Sequence, residues 1–82
     1  MIRVLEAKRE NGKVIMVVAL IKNYIESTWI KRDDGKIMEI SRISYNSRFL
    51  DRDILYIEKE EYKKLMRIVY AIFNGSNKTG RK

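Results

Sequence analysis

The residues best suited to chemistry in this chain are cations interleaved with aromatics: Lys22, Tyr24, Trp29, Lys31, Arg32, Lys36, Arg42, Tyr45 and Arg48. Such a set suits a single-stranded nucleic acid, with ammonium and guanidinium groups on phosphates and ring faces under bases. Each stacked base is worth ~1–3 kcal/mol. Lys31, Arg32 and Lys36 flank one turn, so they cluster at a hairpin tip, with Trp29 a few residues below. Asp33 and Asp34 at the same tip oppose the approach of phosphate. A plainer reading stands beside this one. Trp29 is then an aromatic of the core or of a subunit interface, and the hairpin charges keep an edge strand from aggregating.

Other chemistry has little to work with. The chain has no cysteine and no histidine. Disulfides, thiolate metal sites and the commonest general base are therefore excluded. Glu39, Asp51 and Asp53 offer carboxylates to Mg²⁺, as in a small nuclease. Carboxylates in such loops ordinarily turn or cap the chain, and the Asp51-Arg52-Asp53 stretch reads that way. No glycine-rich phosphate loop, nucleophilic triad or zinc pattern is present. The expectation is a binding protein with no metal and no cofactor, rather than an enzyme. Eighteen basic against eleven acidic residues leave a net charge of +7, which attracts polyanions. Three of the cations, Lys78, Arg81 and Lys82, lie in a polar stretch from Ser76 to Lys82 that is expected to be a disordered tail.

These residues must be held by one small domain, residues 1–75, near the low end of what a hydrophobic core sustains alone. Its centre is Val14 to Ile21, an apolar run of eight rich in β-branched residues. That is too short to span a bilayer, which takes about 20 residues, and it lacks helical periodicity. It reads as a central strand, apolar on both faces, running from Lys13 to about Ile25. A second copy of the chain is the expected cover for its second face. Asn11-Gly12 marks a hairpin with the preceding strand, residues 2–10, because both residues tolerate positive φ. Glu26-Ser27-Thr28 is expected to bend or bulge the chain. Thr28 to Arg32 then pairs with Lys36 to Ile43 across Asp33-Asp34-Gly35, with Met38 and Ile40 alternating against Glu39 and Ser41. Ser44 to Asp53 reads as a loop pinned by Phe49 and Leu50, and Ile54 to Ile57 as a last short strand.

From Lys59 to Phe73 the apolar positions Tyr62, Leu65, Met66, Val69, Ile72 and Phe73 form one stripe of an amphipathic helix. Ile68, Tyr70 and Ala71 widen the apolar surface beyond that stripe. Glu58, Glu60 and Glu61 suit the positive end of the helix, and Asn74-Gly75 is expected to cap its other end. Leu65, Val69, Ile72 and Phe73 are expected to serve core and dimer contact together. The fold class is thus α+β: an antiparallel sheet of about four strands followed by one C-terminal helix, in a dimer. The N-terminal residues carry no signal-peptide pattern, so a cytoplasmic protein is expected. The lack of proline, with abundant Lys, Arg, Glu, Ile and Tyr, suits a thermophile.

Gly12-Lys13-Val14-Ile15-Met16, with Lys22-Asn23-Tyr24 further along the strand, resembles the second strand of the transcriptional coactivator family called positive cofactor four. Leu55-Tyr56-Ile57-Glu58-Lys59-Glu60-Glu61-Tyr62-Lys63-Lys64-Leu65 resembles that family's passage from last strand to helix. Tyr62 stands for its usual tryptophan and Leu65 for its leucine. The resemblance implies a strongly curved four-stranded sheet, a dimer built through helices and sheets, and binding of single-stranded DNA along the sheet and hairpins. Two departures are clear. The connection from Ile25 to Asp53 is longer than the family's, so its DNA contacts do not transfer residue by residue, and Lys59 replaces a proline. The function expected is nucleic-acid binding, with single-stranded DNA (or RNA) as the partner, as an archaeal or viral accessory factor in transcription or replication. The rival class is a protein-assembly module without nucleic acid. Steep weakening with salt separates the two, because only phosphate binding releases counterions.

Overall fold

Three tight turns cut the first half of the chain into four strands. In a computed structural model, which describes residues 1–44 and 56–75, the order is β1 (Ile2–Glu10), β2 (Lys13–Ile21), β3 (Ile25–Lys31), β4 (Ile37–Ser44) and α1 (Lys59–Gly75). The strands form one antiparallel sheet in the order β1-β2-β3-β4. The fold is therefore α+β, four strands and one C-terminal helix. Asn11 and Gly12 make the first turn at φ 55° and 81°, as two residues that tolerate the left-handed region. The third turn is closed by the Gly35 N–H donating to the Arg32 carbonyl (2.8 Å), with Gly35 at φ 91°.

The second turn differs from the expectation. The apolar strand ends at Ile21 rather than near Ile25, and Lys22 and Asn23 turn the chain at φ 57° and 68°. The Tyr24 N–H donates back to the Ile21 carbonyl (3.2 Å). Asparagine suits this conformation and lysine does not, so the turn is half hidden in the sequence. Glu26, Ser27 and Thr28 consequently lie in regular strand. The irregularity falls one step later, where Thr28 faces Ser41 and Trp29 faces Glu39, leaving Ile40 as an extra residue on β4.

One sheet face carries the core. Val14, Val17, Ala19 and Ile21 of β2 and Ile25 and Trp29 of β3 pack with Leu65, Val69 and Phe73 of α1 and with Ile57. Val18 and Leu20, on the opposite pleat of β2, are also buried. The centre of β2 is thus apolar on both faces, as its composition requires. On β4 the alternation runs opposite to the expectation: Glu39 is half-buried, whereas Ile40 is 51% exposed. β1 is exposed along almost its whole length and carries two register shifts.

The helix spans the expected residues and continues through Gly75, which does not adopt the positive φ of a glycine cap. Tyr56 and Ile57 carry no strand; the other half of the expected last strand, Ile54 and Leu55, lies outside the described residues, as do residues 45–53 of the expected loop, whose first residue, Ser44, ends β4, and residues 76–82. No helix among the described residues is long and apolar enough to cross a membrane.

Candidate nucleic-acid interface

Antiparallel pairing puts the β1–β2 and β3–β4 turns at one end of the sheet and the β2–β3 turn at the other. At the first end a cleft of about 350 Å³ opens between the two hairpins and the helix. Lys13, Lys31 and Arg32 line it, Val14 and Phe73 form its apolar wall, and Asp33 is the one carboxylate that the described residues add to its lining. Met16 faces Ile30 across β2 and β3, and continuing that register brings Lys13 level with the tip of the β3–β4 hairpin. Asp34 is engaged in the turn itself: its Oδ1 accepts from the Lys36 N–H (2.9 Å), and its Oδ2 lies 3.5 Å from Arg32. Both members of that ion pair are exposed, so it is weak.

The predicted binding residues that the structure describes fall into three groups. Lys31, Arg32 and Lys36 meet at the hairpin end, joined by Lys13, which the sequence marks only as the flank of a strand. Lys22 and Tyr24 lie at the opposite end, a strand length of about 26 Å away at 3.3 Å per residue. There the Lys22 Nζ donates to the Tyr56 carbonyl (3.2 Å), and Tyr24 is half-buried against the core. Tyr45 and Arg48 lie outside the described residues, as do Asp51 and Asp53 of the considered metal site.

Trp29 and Arg42 belong to the structure's interior joint. Trp29 is only 2% exposed, so it is a core residue and has no face to offer a base. Its indole Nε1–H donates to Ser27 Oγ (2.7 Å), and the Ser27 hydroxyl donates to Glu39 Oε2 (2.6 Å). Arg42 donates from Nε to Glu39 Oε2 (2.9 Å) and from Nη2 to Oε1 (2.6 Å). Its guanidinium also sits 5.5 Å from the centroid of the Tyr62 ring, which lies 6.0 Å from that of Trp29. Glu39 thus ties β3 and β4 to the helix, where the Tyr62 hydroxyl donates to its Oε1 (3.5 Å). Its hydrogen bonds raise the Arg42 pKa, against an opposing effect of burial. Burial first, then the Glu39 charge, raises the Tyr62 pKa. Among the described residues no group of three or more acidic side chains is placed to share a cation.

The residues expected to serve core and dimer contact together take part in the core of the single chain. Leu65, Val69 and Phe73 are fully buried against their own sheet, leaving Ile72 as the member that is only partly buried. One sheet face thus buries the centre of the stripe, while Tyr62, Met66 and Ile72 stay partly exposed. Apolar surface remains elsewhere, at Leu5, Ile40 and Ile43, exposed by 42%, 51% and 49%. Comparison of the chain with protein-family models, with curated proteins and with solved structures finds no match.

Proposed function

We propose that this chain is a nucleic-acid-binding protein, preferring single strands, that grips phosphates with the hairpin end of its sheet. The observation that carries the reading is the convergence of Lys13, Lys31 and Arg32 on one cleft, with Lys36 beside it. Lysines and an arginine on turns present their charge to a flexible strand without burying it, and each phosphate neutralised releases counterions. The likeness to the positive cofactor four family supports the single-strand preference and implies a curved sheet and paired chains. An accessory role in transcription or replication, in the cytoplasm, belongs to the same proposal.

The test is anisotropy of a labelled oligo(dT) strand over a salt series. The double variant Lys31→Ala/Arg32→Ala should bind more weakly. Its log–log salt slope should flatten by about 1.4, at about 0.7 per phosphate lost. Unchanged affinity in that variant would overturn the placement of the site.

A second reading is favoured by the apolar surface at Leu5, Ile40 and Ile43: an assembly module whose partner is a second copy. Sedimentation would then show a dimer that persists at high salt, with no binding of the labelled strand at low salt.

A further inference from the structure

With Trp29 in the core, the hairpin cleft has cations but no exposed ring among the described residues. The ring exists on the helix. Tyr70 is 40% exposed, on a helix whose Leu65, Val69 and Phe73 are buried. Lys63, Met66, Arg67 and Tyr70 line a shallow depression of about 360 Å³. Lys63 and Arg67 are four residues apart, as are Met66 and Tyr70, so two neighbouring rows of the helix supply a charged rim and an apolar floor. The Tyr70 hydroxyl donates to the Ile37 carbonyl (3.4 Å), which holds the ring beside the start of β4. Ile37 follows Lys36, so the ring stands between the helix cations and those of the hairpin. Arg67 makes no ion pair among the described residues, and Lys63 faces only an exposed Glu60 at 3.9 Å.

We propose that Tyr70 is a stacking platform for an unpaired nucleobase, with Lys63 and Arg67 on the adjoining phosphates. The strand would thus run from the hairpin cleft, across Tyr70, onto the helix. This rests on the nucleic-acid reading above and names the single strand as the ligand. A duplex hides its base faces within the stack, so the platform serves single strands. Cations flank the ring, Lys63 and Arg67 on the helix and Lys36 next to Ile37, and a sequence-tolerant ring face discriminates little among bases.

The experiment compares labelled oligo(dT) with an abasic strand of equal length and charge, on the wild-type chain, Tyr70→Ala and Tyr70→Phe. Wild type should bind oligo(dT) more tightly than the abasic strand. Tyr70→Ala should weaken oligo(dT) binding about fivefold or more, fivefold being the low end of one lost stack, with a much smaller change on the abasic strand. Tyr70→Phe, which keeps the ring and loses the hydroxyl, should restore oligo(dT) binding and so exclude a folding defect as the cause. Equal losses on both strands, or none in Tyr70→Ala, would overturn the stacking role while the Lys31→Ala/Arg32→Ala result leaves the phosphate reading standing. Absence of binding to either strand by the wild-type chain at low salt would overturn both.

Discussion

Replacing Glu39 by alanine tests the joint between sheet and helix most directly. The Ser27 hydroxyl is wholly buried and has Glu39 as its acceptor, while its own oxygen is occupied by the Trp29 indole. Alanine strands that proton without water, at a cost of about 2 kcal/mol. The two bonds from Arg42 are lost as well. The Arg42 side chain is 30% exposed, so water recovers much of their worth, and about 1 kcal/mol is left. The total is about 3 kcal/mol, a large part of the stability of so small a domain. At roughly 4–8 °C per kcal/mol for a domain of this size, the melting temperature should fall by about 12–24 °C. Circular dichroism melts of the wild type, Glu39→Ala and Glu39→Gln measure it. Glutamine keeps an acceptor for Ser27 and should cost about 1 kcal/mol. A fall of less than about 4 °C in Glu39→Ala would refute the reasoning. Equal losses in Glu39→Ala and Arg42→Ala would assign the joint to the ion pair instead of the buried hydroxyl.

The raised pKa of Tyr62 makes stability fall in alkali. A folded-state value above the unfolded one, near 10, gives a contribution fully present below the unfolded value and lost as pH rises through the folded one. Urea melts from about pH 9 to 11 should decline more steeply for wild type than for Tyr62→Phe, and parallel declines would reject the assignment. Lys22→Gly should stabilise the chain by roughly 0.5–1 kcal/mol by relieving a lysine at φ 57°. A lower urea midpoint in Lys22→Gly would instead give the greater weight to the Lys22 bond to the Tyr56 carbonyl.

Features set by neighbours along the chain are legible in the sequence alone. Asn11-Gly12, Asp33-Asp34-Gly35 and the stripe from Tyr62 to Phe73 each declare themselves within a few residues. Lys22-Asn23 does not, because only one of its two residues favours the conformation both adopt. The polar joint is hidden for another reason. Pattern reading places Ser27 in a bend and sets Glu39 against the apolar Met38 and Ile40, and their burial follows from cross-strand register, with Trp29 opposite Glu39 and Ser27 opposite Arg42. The same dependence on register conceals Lys13 as a neighbour of the β3–β4 tip. As for Trp29, its chemistry suits a core and a base-stacking surface equally, and the pleat assigns it to the core. Among the candidate binding residues, those that share a turn are recognisable together in the sequence. The ring proposed to serve them, Tyr70, is far away in the chain and looks there like extra apolar surface of the helix.

The meander order of the strands has a consequence for synthesis. Each strand pairs with the next in sequence, so the hairpins close over short loops at small entropic cost and can form as the chain emerges. The helix that covers Val17, Ala19, Ile21 and Ile25 arrives later in the sequence. A sheet paired before the helix is made would leave that apolar face bare and adhesive. The charges and two register shifts of β1 then act as a guard on one edge, discouraging nascent chains from adding strand to strand until the helix has docked.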